Sequence, residues 1–273
     1  MSEIEPHPHR RPVLITGASA GIGAATATAF SALGYPVVLA ARRLDRLEQI
    51  ATVLRDNGGE AAVVQLDVTN DESVGAAIAL AQQQLGPIEI LVSNAGDMEP
   101  SPAQSTDTAT FLRQLDTNLV GAHRLVIEVL APMMERRRGD IVLVTSQNAQ
   151  SPRPLVAAYN ASKAGLESFG RTLQMELEGS GVRASIVRPG PTLTEMGWSW
   201  APEMIDRCLK DWKRWGLLRH LQYLPAESIA AAIVGVATAP RGTHLTLVEV
   251  NPEAPIREAK PADVTPEATG GQP

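Results

Sequence analysis

The stretch Val13-Leu14-Ile15-Thr16-Gly17-Ala18-Ser19-Ala20-Gly21-Ile22-Gly23 decides the fold. Its first four residues suit a buried strand, its glycines a turn, and the alanine-rich run that follows a helix. Glycine lets the backbone turn sharply and approach a pyrophosphate, whose charge is favoured by free N–H groups and the helix dipole. The spacing is G-x3-G-x-G, not the commoner G-x-G-x-x-G, and a plain structural turn is the competing reading. A second apolar run, VVLA at 37–40, completes a strand–loop–helix–strand unit and favours dinucleotide binding. Outward from this unit, short apolar runs recur at 62–66, 88–92, 141–145, 184–187 and 245–250. Helical patterns fill most of the gaps, over 45–57, 71–84, 108–136, 157–178 and 226–237. Apolar strands alternating with helices predict an α/β, doubly wound, mostly parallel sheet of about seven strands with helices on both faces. One domain over residues 12–250 is the economical division, with loose tails at 1–11 and 252–273, where prolines and polar residues leave little to bury.

Composition narrows the function classes. The 273 residues carry 24 basic and 30 acidic side chains, a net charge of −6 that argues against a nucleic-acid groove. Cys208 is the lone cysteine, so no internal disulfide forms, and no Cys/His cluster has metal-ligand spacing. Residues 12–41 hold no charge, yet Gly17, Gly21, Gly23, Gly34 and Pro36 interrupt them, so an integral membrane span is not expected. The polar, Pro/His-rich N-terminus does not read as a signal peptide, and the expected location is cytoplasmic. The basic run at 136–138 reads as the charged end of a long helix.

The end of the second strand bears on the choice of dinucleotide. A carboxylate there would accept the ribose 2′-hydroxyl of NAD, whereas Arg42 and Arg43 suit the 2′-phosphate of NADP in charge and geometry. Arg42, first after the strand, is the leading candidate; the alternative is that both arginines merely open the next helix in solvent.

Further along, Tyr159 and Lys163 stand at i and i+4, on one face of a helix. Ser146 follows the strand IVLVT, at the sheet edge where open α/β folds bind ligands. Together with TGASAGIG at 16–23, Asp67, Asn94-Ala95-Gly96, Asn118 and Pro189-Gly190, these residues resemble the short-chain dehydrogenase/reductase family over about residues 12–250. The resemblance implies a single Rossmann domain, with a small helical substrate lid over about residues 193–224. It implies that Tyr159 is the general acid/base and that Lys163 lowers its pKa and hydrogen-bonds the nicotinamide ribose. Ser146 would hold the substrate oxygen, and Asn118 would order a water that replaces the proton. The cofactor would be held by Gly17, Ser19, Ala20, Gly21, Ile22 and Gly23 of the loop, and by Asp67 and Val68 at the adenine. Asn94, Ala95 and Gly96 would line its cleft, and Pro189, Gly190, Thr192 and Thr194 would pass the nicotinamide.

Two departures from the family pattern stand out. Ser93 replaces an asparagine common in the family, and LTLVEVNPEAP lacks the usual acidic-Gly-Gly ending, which weakens the case for a tetramer. A homodimer through the helices at 108–136 and 157–178 is the better-supported member of the homodimer or homotetramer choice. All four tryptophans fall at 198, 200, 212 and 215, in the lid region. Gln147, Trp198, Trp200, Met204 and Trp212 are the candidate substrate contacts, while core or subunit packing and membrane contact remain alternatives for the tryptophans. The sequence thus points to an NADP(H)-dependent carbonyl reductase or alcohol dehydrogenase for a fairly hydrophobic small molecule. A same-fold epimerase or dehydratase, or a non-catalytic NADP sensor, is the alternative.

Overall fold

A computed structural model describes residues 6–218 and 220–256. Seven strands, β1 (Val13–Thr16), β2 (Val37–Ala41), β3 (Ala61–Gln65), β4 (Ile90–Ser93), β5 (Gly139–Val144), β6 (Val182–Pro189) and β7 (Leu247–Val250), form one sheet in the order 3-2-1-4-5-6-7. Every neighbouring pair is parallel. The helices are α1 (Gly21–Ala32), α2 (Leu44–Asp56), α3 (Asp71–Leu85), α4 (Thr108–Leu115), α5 (Gly121–Glu135), α6 (Ala157–Glu176), α7 (Pro202–Arg214) and α8 (Ala226–Ala237). Strands β1, β2, β4 and β5 are buried along their whole length, which is why they read as largely apolar runs.

Two apolar layers sandwich the sheet. On one face, Phe30 of α1, Leu47 of α2 and Ile233 of α8 pack on Ile15, Leu39 and Val92. On the other, Ile78 of α3, Leu125 of α5 and Leu166 of α6 pack on Leu14, Leu91 and Leu143. The chain winds outward from β1 to β3, then returns to β4 and winds the other way. The crevice outside the carboxyl ends of β1 and β4 is therefore the topological switch point, where folds of this Rossmann-like kind take ligands.

Three local features differ from the sequence reading. The helix expected over 108–136 is interrupted by a π-helical turn at Asp116–Val120, and α4 and α5 flank it. Arg11, assigned to a loose tail, is buried, donates to the Ala237 carbonyl at 3.0 Å and pairs with Asp140. Its partner Asp140 opens β5 and also meets Arg183 Nε at 2.6 Å, so charge pairing anchors a segment that composition alone marks as loose. Arg136 Nη2 and Arg138 Nε face the Ile88 carbonyl and Glu89 instead of only complementing a helix end. Residues 1–5 and 257–273 of the expected tails lie outside the described residues. Among the described residues no helix is long and apolar enough to cross a membrane.

Candidate active site

The glycine loop leaves β1 through Gly17 at φ +66°, a conformation that penalises any side chain. A Cβ on Gly23 would overlap the Gly17 carbonyl oxygen, so the first turn of α1 can close onto the loop only with glycine there. Thr16 ties the loop to the next strand end: its Oγ1 accepts the Asn94 and Ala95 N–H groups, both at 3.0 Å. Asn94 Nδ2 donates back to the Thr16 carbonyl at 2.9 Å. The N-cap of α1 is Ala20, with no side-chain cap and no acidic residue in the first turn. By contrast α3 and α4 are capped by the side chains of Asn70 and Asp107. The amide donors that a side chain would otherwise satisfy thus stay open at the mouth of the crevice, together with the positive end of the α1 dipole. This donor set fits a phosphate-bearing cofactor.

Of the two arginines after β2, Arg43 reaches the loop, with Nη2 2.9 Å and Nε 3.2 Å from Ser19 Oγ. Arg42 is exposed and its charge falls on Asp67, whose carboxyl is held low chiefly by hydrogen bonds from Thr69. Val68 is buried against Gly121 of α5. From the segment after β6, Glu195 bridges Arg43 at 3.1 Å and Arg46 at 2.5 Å. Thr194 lies against Gly21 of the loop, whereas the Thr192 hydroxyl turns back to the Gly190 carbonyl at 2.9 Å. Gly190 N–H bonds the Val250 carbonyl, which fixes the turn after Pro189.

The second half of the site is assembled by β5, α6 and the π-helical turn. Ser146, Tyr159 and Lys163 are all buried. Lys163 Nζ donates to the Val144 carbonyl at 2.9 Å and stands 5.8 Å from the centre of the Tyr159 ring. Burial raises the Tyr159 pKa, against which the Ser146 hydroxyl and the Arg153 charge act. Desolvation outweighs these two partners. Asn118, in the π-helical turn, donates to the Asp97 carbonyl at 2.8 Å and Ser162 Oγ at 2.9 Å, and accepts from Asp97 N–H at 2.7 Å. It clamps the loop after β4 to α6, with one lone pair of its amide oxygen left for a further partner. Gly96 passes close to both Asn118 Oδ1 and Lys163 Nζ.

The profile of the short chain dehydrogenase family matches residues 11–204. This chain belongs to the short chain dehydrogenases. It is 34% identical to sulfoacetaldehyde reductase 2 of Chromohalobacter salexigens over 88% of this chain and 93% of that protein. It is 32% identical to glycine betaine reductase ATRR of Emericella nidulans over 88% of this chain, and spans only 18% of that longer protein. Among solved structures, an alcohol dehydrogenase from the archaeon Thermococcus sibiricus, complexed with 5-hydroxy-NADP, superposes with a TM-score of 0.76. Sequence identity there is 27%, covering 90% of this chain and all of the archaeal one. The family makes this protein an oxidoreductase.

In this short chain dehydrogenase the segment after β6 sorts the tryptophans. Trp212 of α7 is buried and donates to the Pro154 carbonyl at 2.9 Å, and Trp200 donates to the Met98 carbonyl at 3.1 Å. With Met204, Cys208 and Leu155 they form a small apolar cluster around Tyr159. Trp198 and Trp215 are 75% and 68% exposed and lie outside it. The helical spacing visible in the sequence runs through Met204, Cys208, Trp212 and Trp215; the first three join the cluster, whereas Trp215, just past the end of α7, stays exposed. Gln147 accepts from Arg153 at 3.2 Å. The sequence reading missed Arg153, Thr16 and Glu195, because contacts across a cleft leave no local spacing pattern.

The buried ammonium of Lys163 yields a stability prediction. Burial lowers its pKa from 10.5 to about 8. Below about pH 8 both folded and unfolded chains hold the proton and the folded state bears the full desolvation penalty. Between that pH and 10.5 the unfolded chain binds more protons, so stability rises with pH. At about 1.4 kcal/mol per pH unit the change is on the order of 3 kcal/mol. The stability advantage of Lys163→Met over wild type, read by urea unfolding, should accordingly shrink by that order between pH 7 and 10.5. A difference independent of pH would mean that Lys163 is not buried as the charged form at neutral pH.

Proposed function

We propose that the protein is an NADP(H)-dependent carbonyl reductase, or in reverse an alcohol dehydrogenase, acting on a small molecule with an apolar body. The observation that carries this reading is the convergence of Ser146, Tyr159 and Lys163 beside an uncapped, glycine-lined helix N-terminus at the sheet's switch point. When bound, the nicotinamide supplies or takes the hydride. The chain's own residues do the rest. Tyr159 donates its hydroxyl proton to the carbonyl oxygen, where negative charge develops, and Ser146 donates a second hydrogen bond to the same oxygen. Lys163 stabilises the tyrosinate left behind. Asn118, through its remaining lone pair, holds the water that returns the proton. Gly17, Gly21 and Gly23 give the diphosphate room, and Ser19, Ala20 and Ile22 offer it backbone donors. Asn94, Ala95, Gly96 and Pro189-Gly190 wall the nicotinamide, with Thr194 placed better than Thr192 to touch it. Asp67 and Val68 face the adenine.

Arg43 is the leading reader of the 2′-phosphate, with Arg42 secondary, because Arg43 already lies on Ser19. The apolar lid cluster supports a substrate with a hydrophobic portion held by Trp200, Met204 and Trp212, with Trp198, exposed outside that cluster, a secondary contact. Exposed Leu112, Ile127, Met134 and Met175 on α4, α5 and α6 support a homodimer through those helices.

A spectrophotometric panel of ketones, aldehydes and alcohols with NADPH and NADH, compared by kcat/KM, tests this reading. The burial-raised pKa of Tyr159 adds a pH signature. Reduction needs the protonated phenol and should fall as pH rises through the tyrosine pKa, whereas alcohol oxidation needs tyrosinate and should rise over the same range. Parallel pH profiles in the two directions would remove Tyr159 from the proton-transfer role.

A further inference from the structure

Arg153 sits beside Gln147 and Trp212 with its charge unmatched. The other well-buried arginines have carboxylate partners: Arg11 and Arg183 share Asp140, Arg124 meets Asp71 and Asp116, and Arg188 meets Glu167 and Glu249. Arg153 is partly buried, and among the described residues no carboxylate lies within salt-bridge distance of it. Its position is nonetheless built. Asn160 of α6 grips its backbone, donating to the Arg153 carbonyl at 2.8 Å and accepting its N–H at 3.4 Å. Gln147 takes one Nη2 proton at 3.2 Å, and the guanidinium carbon stands 5.0 Å from the centre of the Trp212 ring. Among the described residues Nε, Nη1 and the second Nη2 proton have no protein acceptor, which leaves one two-pronged edge of the planar fork open. The guanidinium lies beside the site: Gln147 adjoins Ser146, Trp212 belongs to the cluster around Tyr159, and the Arg153 charge acts on the Tyr159 hydroxyl.

We propose that Arg153 is an anion-recognition residue and that the preferred substrates are oxo acids: carbonyl compounds whose apolar body carries a carboxylate or sulfonate. This deepens, and rests on, the carbonyl-reductase reading. An arginine needed only to cover Trp212 would contribute a cation–π contact of roughly 0.5–2 kcal/mol and would sit as well in open solvent. Here desolvation lowers the Arg153 pKa, whereas Arg124 and Arg188, with carboxylates beside them, are raised. A bidentate carboxylate or sulfonate supplies the missing partner, and the guanidinium fork matches its geometry. Gln147 and Trp212 then act as positioning residues that hold the fork in plane.

The test separates binding from turnover. Phenylacetate and its neutral match phenylacetamide are titrated calorimetrically into the wild-type protein, with and without NADPH, and into Arg153→Met and Arg153→Lys. Benzoylpropionate and its methyl ester are compared as substrates. The expected result is that the acid binds wild type at least about tenfold more tightly than the amide, the scale of one charged hydrogen bond. Arg153→Met should erase that difference while leaving amide affinity unchanged, and Arg153→Lys should keep part of it. The oxo acid should exceed its ester in kcat/KM by a similar factor. Equal affinity of acid and amide for wild type overturns the proposal even if neither variant folds, as does an acid preference that survives in folded Arg153→Met. An acid preference in binding with no turnover of either oxo compound upholds the anion site and refutes the carbonyl-reductase reading.

Discussion

Tyr159→Phe should retain NADPH affinity and lose at least about 100-fold in kcat, the usual scale for removing a general acid. The substitution deletes one oxygen from a buried ring and leaves its apolar packing with Trp212 and Val156 in place. A folded protein is therefore expected, with the loss confined to turnover. Ser146 loses its phenolic partner but keeps the hydrogen bond its Oγ accepts from Asn148 N–H at 3.1 Å. Stopped-flow measurement of the reduction step, with cofactor affinity read from NADPH fluorescence, checks both halves. Near-normal turnover in a folded variant would mean that another group moves the proton.

Arg43→Leu should lower the NADPH/NADH ratio of kcat/KM by at least about tenfold, because one charged hydrogen bond to the 2′-phosphate is worth about 1.5–3 kcal/mol. Arg42→Leu should move it less, since Arg43 hydrogen-bonds Ser19 of the glycine loop and Arg42 makes no such bond among the described residues. Glu195→Gln has the opposite sign. Its carboxylate competes with the phosphate for Arg43 and Arg46, so removing the charge should tighten NADPH binding, and the gain should fade as salt screens these exposed groups. A larger effect from Arg42→Leu than from Arg43→Leu would reverse the assignment.

The legibility of the sequence varies with the range of the interaction. The strands were visible because a strand covered on both faces is apolar at nearly every position, as at residues 13–15 and in Val37–Ala41. The Tyr159–Lys163 pair and the glycine turn were visible because helix and turn geometry are local. The π-helical turn at Asp116–Val120 was not, since extra residues in a turn barely disturb the apolar period of the flanking helices. The reach of Arg43 to Ser19 and the packing of Arg11 on Asp140 are each contacts between distant positions that no spacing encodes. Trp198 and Trp212 look alike in a composition count. Only Trp212 shares a helical stripe with Met204 and Cys208, and only Trp212 of the two is buried.

The central claim is that this oxidoreductase reduces a carbonyl carbon by hydride transfer, in preference to rearranging or dehydrating its substrate. Its most direct measurement follows deuterium from reduced NADP labelled at the transferable position of the nicotinamide into the product of a benzoylpropionate reaction, by mass spectrometry. One deuterium on the new carbinol carbon, with one cofactor oxidised per alcohol formed, is the predicted result. A product free of deuterium, formed while the cofactor stays reduced, would contradict it.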